Sequence, residues 1–261
     1  MIKIRNAPLV SIIMNCYNGE KYLIQSLNSI LKQTYQNWEL IFYDNRSEDN
    51  SKKIVRSYSE KKFKIFNSKK YLKLYEARNF AIKKAKGKYI AFLDTDDWWK
   101  KNKLKEQVLL FLKNKKTKIV YTNFYVHNQN NKKNKIINNQ LSSGIITNSL
   151  LKNYTIGILT VMMEKNLFKK YKFNKNFNII GDFDLLTRIS LKHPFYKIDK
   201  TLAYYRSHEN NFFKIKKKDY ISELKYWIKI NKKMFKDNNI KLIHPWITLK
   251  KLQIKRFFKI L

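Results

Sequence analysis

Residues 89–99 read YIAFLDTDDWW, an apolar run that leads directly into three aspartates within four positions. A run of this length without polar interruption is typical of a strand buried on both faces of a parallel sheet. The aspartates then fall at the carboxyl end of the strand, which is the edge where open parallel sheets bind their ligands. The stretch therefore predicts an α/β fold with an acidic site at one edge of the sheet.

Three similar apolar runs precede this one, at residues 10–14, 40–43 and 63–66, and helical patterns separate them. Ser47 is the predicted N-cap of the second helix and Gly87 the predicted C-cap of the third. Regular alternation of strand and helix predicts a mainly parallel sheet that is flanked by helices on both faces. Polar residues follow the strands and should meet at one edge: Asn15, Tyr17, Asn18, Asp44 and Asn45.

The second half of the chain has a less regular pattern. We predict a helix at about 98–113, a strand at about 118–126 and an exposed loop or hairpin tip over the polar stretch 128–140. The later predicted elements are a strand at 157–163, a helix at 181–191, a strand at 197–206 and a helix at about 216–239.

The last segment, residues 246–261, has the pattern of a basic amphipathic helix. Its lysines lie opposite a broad apolar arc, which favours a helix lying in an anionic membrane interface. A terminal helix packed on its own domain explains the pattern equally well. The arc consists of Trp246, Ile247, Leu249, Ile254, Phe257, Phe258, Ile260 and Leu261.

The net charge of the chain is +37, from 56 basic and 19 acidic residues among 261. Only seven of the basic residues are Arg, whereas nucleic-acid-binding proteins rely on Arg for bidentate contacts to bases and phosphates. We therefore interpret the charge as a lysine-rich background and predict no nucleic-acid partner. An apolar content of 44% is sufficient for a packed core and argues against a disordered basic protein.

Cysteine and hydropathy patterns bear on the compartment. A single cysteine, Cys16, excludes an intramolecular disulfide and suits a reducing environment. We find neither a signal-peptide pattern nor an apolar run long enough to span a membrane. The expectation is a cytoplasmic protein, with peripheral attachment at the inner membrane face if the terminal helix binds lipid.

The aspartates of residues 94–97 suggest a divalent metal. Carboxylate oxygens are the ligands that Mg²⁺ and Mn²⁺ prefer, and such an ion keeps positions open for phosphate oxygens of a substrate. An acidic turn that caps the following helix is the alternative interpretation.

Five segments occur in this order along the chain: PLVSIIMNCYNGEKYL, LIFYDNRSEDNS, EARNFAIKKAKGKYIAFLDTDDWW, IIGDFDLLTR and LAYYRSHENN. Together, over about residues 8–211, they resemble the family-2 glycosyltransferases of the GT-A fold. The resemblance implies an inverting transferase that uses a nucleotide sugar. It implies a domain over residues 1–211, with a nucleotide-binding half to about 120 and an acceptor half from about 121. The helical patterns that follow predict a helical extension over 212–261.

The resemblance assigns the donor site to matching positions. It implies that Asn15 and Tyr17 pack against a uracil-type base, that Asp44 accepts a hydrogen bond from the base edge, and that Arg78 lies near the base and phosphates. Asp94 and Asp96 match the family's DxD pair.

The same resemblance implies that Asp96 coordinates an Mn²⁺ or Mg²⁺ ion, with Asp94 contacting ribose or a metal-bound water. His208 is a further candidate metal ligand, and Arg206 a partner for phosphate or for the acidic site. Asp97 would cap the next helix or orient the ion.

Asp182 matches the general base that takes the proton of an acceptor hydroxyl. Family members usually have Glu then Asp here, whereas this chain has Gly181 then Asp182, so the role falls on Asp182 with Asp184 as a weaker substitute. Asp182 as a simple helix cap is the alternative.

The expected function is transfer of a sugar, from a uridine diphosphate donor, to a hydroxyl of a glycan or lipid-linked glycan in cell-surface polysaccharide synthesis. Two other classes are alternatives: a basic nucleic-acid-binding protein, and a nucleotidyltransferase, which would be expected to carry a Gly-rich phosphate loop near the N-terminus. A homologue that binds sugars without catalysis is a further alternative.

Overall fold

The computed structural model describes residues 7–137, 141–209, 211 and 217–257. Within these residues, nine strands form one sheet, and the predicted α/β class is confirmed. The strands are β1 (Val10–Cys16), β2 (Trp38–Asp44), β3 (Phe63–Asn67), β4 (Tyr89–Phe92), β5 (Trp98–Trp99), β6 (Ile119–Asn128), β7 (Asn134–Ile137), β8 (Met162–Glu164) and β9 (Phe195–Ser207).

Helices cover both faces of this sheet. The predicted helices at 181–191 and 216–239 are confirmed within a few residues. In chain order the helices are α1 (Glu20–Leu31), α2 (Ser51–Ser57), α3 (Leu74–Lys84), α4 (Lys103–Lys113), α5 (Thr147–Lys152), α6 (Leu167–Lys170), α7 (Gly181–Ser190), α8 (Lys217–Asp237) and α9 (Ile243–Phe257).

The strand order is β3-β2-β1-β4-β8-β6-β9-β5, and β7 pairs with β6 as a hairpin. The first four strands are parallel, as predicted. Beyond β4 the sheet is mixed, because β8 runs antiparallel to both β4 and β6. The parallel half sets the ends of β1, β2 and β4 side by side, and this edge carries most of the predicted donor-site residues.

The central strands β1, β2 and β4 are buried at every position, and most of their residues are apolar. In β1, Ile12 and Met14 pack in one core together with α1 and α4, while Ile13 packs in the other core with α3 and α7. The second core also contains Trp227 of α8 and Leu249 of α9. The predicted extension is therefore packed on the domain through shared apolar residues.

The predicted helix at 98–113 is wrong at its start. Trp98 and Trp99 form β5, which pairs with β9, and α4 begins only at Lys103. The Trp98 ring stacks on Tyr204 with centroids 4.8 Å apart, and the Trp99 indole N–H donates to the carbonyl of Leu159. These aromatic contacts outweigh the helical pattern that follows.

Both predicted helix caps are also wrong. Helix α2 begins at Ser51, and Ser47 instead accepts a hydrogen bond from the backbone N–H of Asn18. Helix α3 ends at Lys84, and the N–H of Gly87 donates to the Ser11 hydroxyl at 2.7 Å. A Cβ at Gly87 would lie 2.6 Å from the Ser11 backbone nitrogen, so this glycine serves a close approach to β1.

The predicted strand at 157–163 is partly wrong. Residues Ile158–Thr160 form a 3₁₀ turn, in which both the backbone N–H and the hydroxyl of Thr160 donate to the carbonyl of Gly157. Only Met162–Glu164 pairs in the sheet. The exposed stretch at 128–140 is confirmed as the hairpin of β6 and β7, while residues 138–140 lie outside the described residues.

The terminal helix packs on the domain through one side, as one of the two alternatives predicted, and leaves apolar residues exposed on another. Leu249 is buried against the domain, whereas Trp246, Ile247 and Ile254 are 52%, 42% and 57% exposed. Side chains from residue 255 onward lie outside the described set, including Phe258, Ile260 and Leu261 of the predicted arc. No helix in the described part of the chain is long and apolar enough to cross a membrane.

Candidate active site

A buried arginine joins the predicted metal side of the site to the predicted base. Arg78 projects from α3 and is 1% exposed. One terminal nitrogen of its guanidinium lies 2.7 Å from Asp94, and the other lies 3.0 Å from Asp182. Tyr75, Phe92 and Phe173 surround the guanidinium, with ring centroids 5.5–5.7 Å from its central carbon.

Because it is buried, Arg78 is not a solvent-exposed cation, as most arginines on helices are. Burial alone would lower the pKa of Arg78, but the charges of Asp94 and Asp182 outweigh it and raise the pKa further. The arginine is therefore charged and divides its fork between two acids. Its predicted contact with the base and phosphates of a donor stays a prediction.

Asp182 is the second residue of α7 and is partly exposed. Burial raises the pKa of Asp182 to about 6, although Arg78 opposes the shift. Such a carboxyl is largely ionised at neutral pH and is still basic enough to accept a proton. Because the carboxylate bonds to Arg78, Asp182 does more than cap a helix, and α7 shows no side-chain cap hydrogen bond.

Asp184 has a structural role instead. It is buried, it accepts two hydrogen bonds from Arg188, and its other oxygen accepts from the indole N–H of Trp227. Both carboxylate oxygens are therefore occupied, which leaves Asp182 as the acid of this pair that can act as a base.

The three aspartates after β4 have three different environments. Asp94 faces Arg78, and partial burial raises the pKa of Asp94 although Arg78 works against it. Asp96 lies 3.0 Å from Nε2 of His208.

Asp97 is buried and accepts a hydrogen bond from the backbone N–H of Arg206 at 2.8 Å. It therefore does not cap α4, which begins at Lys103. Burial, together with its acidic neighbours, raises the pKa of Asp97 well above the usual range.

Asp96 and His208 are the two groups suited in kind to hold a divalent ion. A carboxylate and an imidazole are side by side, and the carboxylate remains partly exposed. Asp94, the third predicted ligand, is held by Arg78. Within the described residues, no cluster of three or more acidic, histidine or cysteine side chains is arranged around a metal position. This donor set fits an ion that takes its remaining ligands from substrate oxygens and water.

Arg206 holds the loop of residues 94–97 in place. Its Nε donates to the backbone carbonyl of Asp96, its terminal nitrogens contact Gln25 and Gln129, and its guanidinium lies over the rings of Tyr22 and Trp98. These contacts make it a positioning residue for the loop. Its predicted contact with phosphate stays a prediction.

The predicted nucleoside-binding residues lie at the ends of β1 and β2. Both polar atoms of the Asn15 amide are buried, and neither has a partner among the described residues. Tyr17 is 49% exposed and meets Tyr71 edge to face, with centroids 4.9 Å apart. Asp44 is buried and accepts from the backbone N–H of Ser47. The unsatisfied amide and the exposed ring suit a ligand that brings hydrogen bonds and a flat face.

Two residues of α8, Glu223 and Trp227, support the site and were not predicted from the sequence. Both Glu223 oxygens accept from backbone N–H groups, at residues 178, 179 and 180, with distances of 2.6, 3.0 and 3.1 Å. These residues form the turn that leads into α7, two positions before Asp182. The available signal was an acid on the apolar face of a predicted helix, three residues after Tyr220 and four before Trp227.

Comparisons with known proteins identify the family of the chain. The family model for Glycosyl transferase family 2 matches residues 11–190. The UDP-Glc:alpha-D-GlcNAc-diphosphoundecaprenol beta-1,3-glucosyltransferase WfgD of Escherichia coli is 41% identical over 63% of this chain and 64% of its own length. TuaG of Bacillus subtilis, which is assigned as a teichuronic acid biosynthesis glycosyltransferase, is 33% identical over 78% of this chain and 81% of its own length.

Among solved structures, TarS of S. aureus in complex with UDP-GlcNAc superposes with a TM-score of 0.67 at 21% identity, over 77% of this chain and 59% of that chain. This likeness confirms the predicted fold. The chain spans less than two thirds of the length of both the E. coli enzyme and this TarS chain. The family match favours sugar transfer over the nucleic-acid-binding and nucleotidyltransferase alternatives.

Proposed function

The chain belongs to glycosyl transferase family 2, and we propose that it transfers a sugar from a uridine diphosphate donor to a hydroxyl of a glycan or lipid-linked glycan, with inversion at the anomeric carbon. The observation that carries the proposal is the Arg78 bridge between Asp94 and Asp182. Through this bridge, Asp94 of the loop after β4 lies in one cluster with Asp182, whose pKa suits it to accept a proton. The E. coli relative is named as a glucosyltransferase that acts on a diphosphoundecaprenol-linked sugar, and this supports a role in cell-surface polysaccharide synthesis.

Asp182 acts as the base in this reaction. Its carboxylate accepts the proton of the acceptor hydroxyl while the acceptor oxygen bonds to the anomeric carbon from the side opposite the diphosphate. The bond from that carbon to the diphosphate oxygen breaks in the same step, and nucleoside diphosphate leaves with the electron pair. One displacement of this kind inverts the configuration.

The remaining site residues bind and orient the donor. Tyr17 stacks on the uracil, and the unpartnered amide of Asn15 together with Asp44 hydrogen-bonds the nucleoside. Asp96 and His208 would hold a divalent ion, with Asp94 beside them. Such an ion, Mn²⁺ or Mg²⁺, supplies positive charge that neutralises the departing diphosphate.

A donor screen tests the proposal. Purified protein is incubated with individual uridine diphosphate sugars and candidate acceptors, with and without Mn²⁺, and nucleoside diphosphate release is measured. Asp182→Asn should lower turnover by about 10²- to 10⁴-fold with little change in uridine diphosphate affinity. Asp237→Asn, at an exposed acid of α8, is the matched control and should behave as wild type. Equal losses of turnover and donor affinity in Asp182→Asn would remove it from the base role.

The proposed requirement for a divalent ion is tested separately. Asp96→Asn and His208→Ala should each weaken Mn²⁺ binding, measured by the paramagnetic resonance signal of free Mn²⁺ in the presence of uridine diphosphate. Full turnover after chelator treatment, with unchanged binding in both variants, would show that the reaction needs no ion.

We also propose that the protein is cytoplasmic and attaches to the inner face of the membrane through α9. The exposed Trp246, Ile247 and Ile254 present apolar surface, and exposed Lys250 and Lys251 lie on the same helix. The double substitution Trp246→Ser and Ile247→Ser should reduce cosedimentation with phosphatidylglycerol vesicles, while Tyr226→Ser on α8 should not. Equal sedimentation of all three proteins would refute the attachment site.

A further inference from the structure

The short segment of residues 178–181 leads directly into Asp182, and side chains hold it from two sides. From α8, the carboxylate of Glu223 accepts hydrogen bonds from three consecutive backbone N–H groups of this segment. From α3, the Tyr75 hydroxyl donates to the backbone carbonyl of Ile179 at 2.9 Å. The N–H of Ile179 is one of the three groups that Glu223 binds, so both polar backbone groups of this residue are held by side chains from different helices.

The ring of Tyr75 also lies directly against the start of α7. Tyr75 and Gly181 are both buried, and a Cβ at Gly181 would lie 2.4 Å from two carbons of the Tyr75 ring. Carbon atoms that are not bonded to each other do not approach this closely, so the residue before Asp182 must be glycine while the ring keeps its place. The start of α7 therefore cannot move toward α3 without displacing the ring.

Tyr75 contacts the charged partner of the proposed base as well. Its ring centroid lies 5.5 Å from the central carbon of the Arg78 guanidinium, which lies 3.0 Å from Asp182. Phe173 stacks on the same ring, with centroids 5.4 Å apart, and so fixes the ring plane. One side chain thus touches both the backbone that carries Asp182 and the arginine that binds its carboxylate.

We propose that Tyr75 is a positioning residue for Asp182, and that Tyr75 and Glu223 together form a clamp on the backbone of Ile179. Tyr75 acts through the backbone of residues 179–182 and touches no substrate. The inference rests on the proposed function and adds the side chains that set where the base meets the acceptor hydroxyl. The rate depends steeply on this geometry, because a displacement of about 1 Å can cost roughly 100-fold.

Tyr75→Phe tests the proposal, because it keeps the ring over Gly181 and removes the donor to Ile179. Turnover should fall about 10- to 100-fold, while the calorimetric affinity for uridine diphosphate should stay within about twofold of wild type. Tyr121→Phe is the matched control, because Tyr121 is also buried and its hydroxyl donates to two backbone carbonyls, at 2.9 and 3.1 Å. Tyr121→Phe should keep wild-type turnover.

Amide hydrogen exchange reports on the clamp without any substrate. The N–H groups of residues 178–180 should exchange faster in Tyr75→Phe than in the wild type, and at the wild-type rate in Tyr121→Phe. Wild-type turnover in a folded Tyr75→Phe protein, or an equal loss of turnover in both variants, would overturn the proposal.

The two sides of the clamp are tested together in a double variant. Release of one side already frees the segment, so Tyr75→Phe combined with Glu223→Gln should lose little more turnover than the more damaging single substitution. A loss equal to the product of the two single losses would show that the side chains act independently, and it would refute the clamp.

Failure of this inference is distinguishable from failure of the proposed function. Turnover by the wild type with at least one donor, together with unchanged turnover in Tyr75→Phe, would refute the positioning role alone. The absence of turnover by the wild type with every donor would refute the proposed function, whatever the exchange rates of residues 178–180.

Discussion

Removing the guanidinium of Arg78 should move the acidic limb of the pH–rate profile toward higher pH. Asp182 has a pKa of about 6, and Arg78 is the positive charge that opposes the effect of burial. The ionised form is the base, so kcat/KM in the wild type should fall as pH drops through about 6.

The size of this shift follows from the ion pair between Arg78 and Asp182. An arginine next to an aspartate lowers the pKa by about one to three pH units, so Arg78→Met should move the limb upward by this amount. A shift of about two units leaves roughly a tenth of the carboxyl ionised at pH 7, compared with about nine tenths in the wild type. The rate at pH 7 should therefore fall about tenfold from ionisation alone and recover at alkaline pH.

The assay is the dependence of kcat/KM on pH between 5 and 9, measured by nucleoside diphosphate release. Breaking a buried pair costs about 3–5 kcal/mol of stability, so Arg78→Lys, which keeps the charge and loses the fork, serves as a milder variant with a smaller shift. Arg188→Met breaks another Arg–Asp pair in the same region and should leave the limb in place. A folded Arg78→Met protein with the wild-type limb would refute the assignment of this ionisation to Asp182.

Three further substitutions test other parts of the structure. Tyr17→Ala should weaken uridine diphosphate binding by about 1–3 kcal/mol, the value of one aromatic–base stack, as measured by calorimetry; Tyr226→Ala, at another exposed tyrosine, should have no effect, and equal losses would exclude stacking. Glu223→Gln should lower the free energy of unfolding by about 1.5–3 kcal/mol in urea titrations, because a charged acceptor of three N–H groups is lost. Glu106→Gln, which removes a more exposed pair with Lys200, should cost about 1 kcal/mol or less, and a similar cost for both would mean that the turn does not need the carboxylate. Gly87→Ala should destabilise by about 1–3 kcal/mol because its Cβ meets the β1 backbone, and an unchanged melting temperature would contradict this close approach.

The parallel half of the fold could be predicted because its strands are buried on both faces and leave uninterrupted apolar runs in the sequence. The same reasoning failed at Trp98 and Trp99, since a two-residue strand leaves no periodicity and its pairing partner lies about a hundred residues away, in β9. The predicted helix caps were wrong because Ser47 and Gly87 instead make contacts with β1 and the residues after it.

The candidate site was predicted as a set of residues and not as a set of contacts. Motif resemblance identified Arg78, Asp94 and Asp182, but the 104 residues that separate Arg78 from Asp182 hide their pairing. The resemblance described Arg78 as a donor ligand, whereas its buried guanidinium joins the two acids. Glu223 has no motif at all, and its role depends on the packing of α8 against the start of α7.

The Arg78 bridge also links the ionisation of Asp182 thermodynamically to the binding of a cation at Asp94. A cationic ligand that engages Asp94 withdraws this carboxylate from Arg78 and leaves the guanidinium to Asp182, which lowers the pKa of the base. By reciprocity, ionisation of Asp182 must strengthen binding of that ligand by the same factor. Affinity for such a cation should therefore rise with pH through the ionisation of Asp182, a residue on the proposed acceptor side of the site.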